Sequence, residues 1–198
     1  MSTLSELAPD ISACQKCPAL VTCRTRVVPG SGPDDAEIMF IGEAPGFNED
    51  QQGLPFVGAA GSFLEELLAS IQLKRTQVYI TNVIKCRPPQ NRDPLPTEIN
   101  NCNPWLEDQI KRLRPRLIVT LGRYSMAKFF PGKTIGKIHG TAQERDGIIY
   151  FAMYHPAAAL HQQSLRQTII EDMGRIPAIL AQTGRIPEDT QPHQLSMF

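Results

Sequence analysis

The chain has 198 residues, 41% of them hydrophobic, and a formal net charge of zero, which allows one domain whose core needs no disulfide staples. No apolar run approaches the roughly 18 residues of a membrane span, and residues 1–10 lack a basic-then-apolar leader, so the expected location is cytoplasmic. Zero net charge gives no support for a polyanionic partner, yet residues 111–145 hold nine Lys/Arg against a single acid, Glu144; they form either a phosphate-binding face or a solvated surface whose acids lie elsewhere.

The amino-terminal segment carries Cys14-x2-Cys17, and Cys23 follows. Predicted strands fall at residues 37–42 (EIMFIG), 78–85 (VYITNVIK), 117–122 (LIVTLG) and 148–154 (IIYFAMY), short β-branched and apolar runs that read as buried parallel strands. Between them lie helical patterns. Residues 62–73 open with Ser62 and Glu65 at capping-box spacing, and residues 98–113 put Ile99, Cys102, Leu106, Ile110 and Leu113 on one face. This alternation predicts an α/β sandwich around a parallel sheet, with ligands collecting beyond the carboxyl ends of its strands. Residues 1–182 are expected to form this domain, while residues 183–198, polar, Pro-containing and aperiodic, are expected to be disordered.

A Cys-x-x-Cys turn points two thiolates at one metal centre, and two further ligands are then needed. Cys86 closes the second predicted strand and Cys102 lies on the next helix, so the loop between them can carry both sulfurs to the amino-terminal pair. Spacing alone leaves a zinc site, an iron-sulfur cluster and inert buried thiols open. A disulfide framework does not suit a reducing compartment, and no Cys-x3-Cys-x2-Cys run of the radical-SAM kind is present.

The loops after the strands hold the unusual residues. Gly42-Glu43-Ala44-Pro45-Gly46 presents backbone amides and one carboxylate. Gly53-Leu54-Pro55-Phe56-Val57-Gly58 sets an aromatic off any periodic core face, able to stack on a planar ring. Asn82 lies in an apolar strand and must find partners for an amide that offers both donor and acceptor. His155-Pro156 ends the fourth strand with an imidazole on a rigid turn. Each has a structural explanation alone; together they crowd the ligand end of one sheet.

These motifs, with residues 81–89 (TNVIKCRPP), Asn91-Arg92-Asp93-Pro94, residues 155–160 (HPAAAL) and the four cysteines in this order, resemble the family-4 uracil-DNA glycosylases over residues 14–180. The resemblance implies a three-layer α/β/α fold with a central four-stranded parallel sheet and hydrolysis of the N-glycosidic bond of deoxyuridine in DNA. It also implies a structural 4Fe-4S cluster on Cys14, Cys17, Cys86 and Cys102, leaving Cys23 without a role. Gly42, Glu43, Ala44, Phe56, Asn82 and His155 would form the uracil pocket, with Phe56 stacked on the flipped base, Asn82 on its Watson-Crick edge and His155 at O2. Family-1 relatives carry Asp where this chain has Ala44, so the water-positioning acid falls to Glu43 or Glu49, which with His155 make the catalytic set. His139 stands where most relatives are expected to carry Arg, and Lys85 runs straight into Cys86 without the inserted basic loop of relatives that trap DNA covalently.

The expected partner is uracil-containing DNA, single- or double-stranded, with no membrane and a monomeric protein. Gln194, Leu195, Ser196, Met197 and Phe198 resemble the bacterial sliding-clamp-binding motif, which implies a clamp as second partner. Competing functions are a family-5-like glycosylase of wider base range, a catalytically silent iron-sulfur DNA-binding module, and a zinc-stabilised α/β domain with no nucleic-acid role.

Overall fold

The computed structural model describes residues 3–182. In chain order the elements are α1 (Leu4–Ser12), α2 (Pro18–Val21), β1 (Ile38–Gly42), α3 (Phe47–Gln52), α4 (Ala59–Ser70), β2 (Tyr79–Asn82), α5 (Pro96–Leu113), β3 (Leu117–Leu121), α6 (Arg123–Phe129), α7 (Ile135–Ile138), β4 (Ala142–Arg145), β5 (Ile148–Met153), α8 (Pro156–His161), α9 (Ser164–Gly174) and α10 (Ile176–Gln182). The expected tail at 183–198, with its Gln194, Leu195, Ser196, Met197 and Phe198, lies outside the described residues. Among the described residues no helix is long and apolar enough to cross a membrane.

The sheet runs β2-β1-β3-β5-β4, with β2, β1, β3 and β5 parallel and β4 antiparallel to β5. The α/β sandwich and its four parallel strands are as expected; the strand count is corrected to five. Ala142, Gln143, Glu144 and Arg145 of β4 are all exposed, so this edge strand has no apolar pattern to betray it. Its turn does: Asp146 and Gly147 both adopt left-handed backbone (φ 55° and 74°), the Asp-Gly hairpin signal.

Every residue of β1, β2 and β3 is buried, and alternate side chains feed two cores. Ile38 and Phe40 pack with Phe63, Leu64, Leu67 and Leu68 of α4 and with Ile169 and Met173 of α9. Met39 and Ile41 pack on the other face with Leu106 of α5, Met126 of α6 and Leu4 of α1. Each such buried Leu, Ile or Phe contributes roughly 1.5–3 kcal/mol, and the two cores make the three layers.

Two predicted boundaries shift for local reasons. The second strand ends at Asn82 rather than Lys85: its partner β1 stops at Gly42, and Val83 N and Ile84 N make only two further bonds, to Gly42 O and Glu43 O (3.0 and 3.2 Å). Ser62 is not a helix cap: its amide donates to Gly58 O at 3.0 Å, so α4 starts at Ala59. Thr3 and Glu6 form the capping box of α1, a helix the apolar pattern did not announce. From β1 the chain crosses to β2 on one side and later to β3 on the other, leaving a crevice at the strand carboxyl ends.

Candidate active site

Beyond the carboxyl ends of β1, β2 and β5 lies a cavity of about 180 Å³, lined by Ala44, Gly46, Glu49, Phe56, Ala60, Asn82, His155 and Ala157. Asn82 ends β2 and is buried, and its Oδ1 has no hydrogen-bond partner. Leaving such an acceptor unsatisfied costs about 1–3 kcal/mol, which a ligand N–H recovers. The backbone beneath it is fixed: Lys85, itself buried, donates from Nζ to Asn82 O, Thr81 Oγ1 and Gln109 Oε1 (2.7, 2.6 and 2.7 Å). Gly42 pairs with Asn82 across the sheet. A Cβ there would strike Asn82 Oδ1 and the edge of Phe56, so Gly42 stands behind the wall and lets both residues close in.

Phe56 adopts φ 53°, a left-handed conformation that costs a bulky residue of order 1–3 kcal/mol. Two clamps of opposite polarity hold it there. The Glu49 carboxylate accepts from the amides of Gly46, Val57 and Gly58 (3.1, 3.0 and 3.0 Å), joining the Gly42–Gly46 turn to the Phe56 loop. Arg75 donates to the carbonyls of Pro55 and Phe56. On α4, Gly61 leaves room for the Phe56 backbone, which a Cβ would overlap. The ring is buried and stacks on the His155 imidazole, centroids 5.4 Å apart at 24°.

His155 caps α8, and its Nδ1 accepts from Ala157 N at 3.1 Å. A backbone N–H can only donate, so the ring proton is inferred to sit on Nε2. Burial lowers the pKa to about 4, which keeps the imidazole neutral near pH 7.

Glu43 does not line the cavity but abuts it. One carboxylate oxygen accepts from Tyr124 N at 3.2 Å, at the start of α6. Burial raises its pKa above the usual carboxylate value, opposed by that amide and by the Arg123 charge. Glu43 and His155 meet at Gly122, where a Cβ would strike the Glu43 carboxylate and lie 3.1 Å from His155 Cβ; its φ of 94° suits glycine.

A second cavity gathers all four expected cysteines, Cys14, Cys17, Cys86 and Cys102, with Arg24, Asn101 and Trp105. Cys23 is exposed and outside it. Trp105 Nε1 donates to Cys14 Sγ (3.3 Å), Asn101 Nδ2 to Cys17 Sγ (3.6 Å) and Arg24 Nη1 to Cys86 Sγ (3.0 Å). Burial pushes the Cys86 thiol up and the Cys102 thiol to about 11, so only a cationic centre would make them thiolates. Among the described residues no three Cys, His, Asp or Glu form a group that could hold a metal ion. A single zinc would draw its sulfurs to about 3.8 Å from one another. A four-iron cluster takes one thiolate per iron and lets them stand apart, with N–H donors tuning the sulfurs. Four cysteine sulfurs with N–H donors around three of them are a donor set that such a cluster would accept.

Sequence patterns pointed to Ala44, Phe56, Asn82, His155 and the cysteines, but not to Gly61, nor to Arg75, Gly122, Arg24 or Trp105, whose partners are remote in the chain. Five of the nine basic residues at 111–145 are neutralised: Arg112 by Asp108, Arg116 by Glu37, Arg123 by Asp93, Lys128 by Glu107 and Arg145 by Asp146. Much of that stretch is an ordinary paired surface.

Residues 29–174 match the family model described as the Uracil DNA glycosylase superfamily. The chain is 46% identical over 186 residues to a type-4 uracil-DNA glycosylase of Sulfurisphaera tokodaii, spanning 89% of this chain and 84% of that protein. The type-4 enzyme of Archaeoglobus fulgidus is 44% identical over 185 residues, spanning 89% and 92%. A type-5 uracil-DNA glycosylase of Pyrobaculum aerophilum is 30% identical over 177 residues, spanning 73% and 78%. The chain therefore belongs to the uracil DNA glycosylase superfamily and, within it, to the type-4 uracil-DNA glycosylases.

Proposed function

We propose that this protein is a uracil-DNA glycosylase, hydrolysing the N-glycosidic bond of deoxyuridine in DNA and so starting base excision repair. The single observation that carries this is the buried, unpartnered Oδ1 of Asn82 on the cavity wall. Uracil brings N3–H to such an acceptor, whereas cytosine brings a bare N3 lone pair, so the same oxygen attracts one base and repels the other. The base must first leave its stack, most easily when mispaired or in a single strand. Phe56 then offers its face to the ring.

Cleavage leaves negative charge on the base, chiefly at O2, and positive character on the sugar. The Nε2–H of neutral His155 is the donor for O2, and its hydrogen bond strengthens as charge accumulates. Glu43 is better suited than Glu49 to orient water and to face the sugar cation. Three amides occupy the Glu49 carboxylate, whereas burial makes Glu43 more basic than a free carboxylate. Glu49 is therefore a positioning residue.

Cys14, Cys17, Cys86 and Cys102 would hold a 4Fe-4S cluster, and its contribution would be structural, tying the amino-terminal turn to α5 and to the segment after β2. Lys85, adjacent to Cys86, links that region to the backbone of Asn82. The terminal Gln194, Leu195, Ser196, Met197 and Phe198 are proposed to dock on a sliding clamp, on the strength of their sequence pattern; a peptide of these residues should bind a bacterial clamp with roughly micromolar Kd.

Measuring free base released from single- and double-stranded oligonucleotides that each carry one uracil tests the activity. Release of uracil, with none of cytosine from matched controls, is expected. No release from either strand form by protein that retains its cysteine-bound centre would sink the proposal.

A further inference from the structure

Phe47 is the most exposed large hydrophobic residue among those described, 56% open to solvent. It begins α3 directly after Gly46, a wall residue of the uracil cavity, so its backbone adjoins that cavity. The Arg87 guanidinium lies over it, 5.0 Å from the ring centroid. Arg87 is itself steered, because its Nε donates to Asn91 Oδ1 at 2.7 Å.

The turn that supplies Asn91 is strained. Gln90 and Asn91 both adopt left-handed backbone (φ 55° and 54°), which consecutive non-glycine residues rarely do. Both are exposed, so core packing does not account for the conformation. What it achieves is an amide set against Arg87 and a cation set on one face of an open aromatic. Neither the cores nor the uracil cavity uses these side chains.

We propose that Phe47 and Arg87 form a stacking platform for the DNA base that flanks the uracil in the same strand, with the ring meeting the base and the guanidinium the phosphate between the two nucleotides. The proposal rests on the reading of the neighbouring cavity as a pocket for uracil in DNA. Rotating a nucleotide out of its stack deprives its neighbour of a stacking partner, and an aromatic beside the cavity replaces it whatever the neighbour's identity. Charge complementarity selects nucleic acid over an uncharged apolar partner, since Arg87 answers a phosphate.

Fluorescence anisotropy with a labelled uracil-containing single strand, alongside uracil release, tests this. Phe47→Ala should weaken binding by about tenfold, within the roughly 5- to 150-fold that one stacked base is worth, and raise KM more than it lowers kcat. Phe47→Trp should restore binding. Arg87→Gln, checked for retention of visible absorbance, should lessen the salt dependence by about one phosphate contact. Replacing the bases on both sides of the uracil by abasic spacers should erase the difference between wild type and Phe47→Ala. Equal binding by Phe47→Ala and wild type on the intact strand, or an undiminished deficit on the abasic-flanked one, would overturn the platform. Because binding is read apart from release, a wild type that binds the strand yet frees no uracil contradicts the glycosylase activity and leaves the stacking comparison standing.

Discussion

In the cavity beyond β1, β2 and β5, Asn82 Oδ1 is buried without a partner, whereas in the cysteine cavity the sulfurs of Cys14, Cys17 and Cys86 each receive an N–H. The contrast separates two kinds of site. A transient ligand completes the hydrogen bonds of the first, so the empty cavity carries a standing cost that substrate relieves. On the proposed reading the second would be a shell for a permanent group, with outer donors already in place. The left-handed Phe56, held by Glu49 and Arg75, belongs to the transient site.

If this division holds, the cysteine shell is where substitution does most damage. Cys14→Ser or Cys102→Ser should remove the broad visible absorbance and lower soluble yield sharply, while Cys23→Ser, at an exposed thiol, should match wild type. Full colour and stability in Cys102→Ser would remove Cys102 from the ligand set. In the transient site the protein should stay folded and coloured while chemistry fails. His155→Ala should lower the single-turnover rate by ~10² to 10³, the usual loss for a donor to developing negative charge; an undiminished rate would exclude His155 from leaving-group stabilisation.

Glu43→Gln should cost less, about a hundredfold, the low end of what a positioned general base contributes. Its pH profile is the sharper readout. Because burial holds the Glu43 pKa above the ordinary carboxylate value, the base form is lost on acidification sooner than for a free carboxylate. The wild-type rate should fall on that acid limb and the limb should vanish in Glu43→Gln; a limb that persists unchanged assigns it to another group.

The smallest effect concerns stability. His155 has a folded pKa of about 4 against an ordinary 6.5, so between these values the unfolded chain binds more protons than the native one. Stability should be fullest above pH 6.5 and decline as pH falls toward 4. Denaturant titrations of wild type and His155→Gln should converge over that window, and parallel curves would place the imidazole outside the buried environment assigned to it.

The parallel strands were legible because Ile38, Met39, Phe40 and Ile41 are buried on both faces and need no alternation. β4 was not, since an exposed edge strand leaves only the Asp146-Gly147 turn as evidence. Ser62 and Glu65 have capping-box spacing, yet the helix starts at Ala59 behind Gly58, whose amide is bound by Glu49 from another element. Local spacing cannot foresee a remote clamp. Asn82, Phe56 and His155 could be found because each breaks the pattern of its own segment. Arg75, Gly122 and Trp105 could not, since each looks ordinary in sequence and acquires its role only by contact with Phe56, Glu43 or Cys14.

Selection of uracil by the unpartnered Asn82 oxygen is read out by single-turnover base release from otherwise identical uracil- and cytosine-containing oligonucleotides by wild type, Asn82→Ala and Asn82→Asp. Wild type should release uracil alone, Asn82→Ala should be slower by roughly 10²-fold through loss of a hydrogen bond made to the reacting base, and Asn82→Asp should lose uracil release while gaining a trace of cytosine release. Uracil release by Asn82→Ala at the wild-type rate and with wild-type selectivity would show that this oxygen does not choose the base.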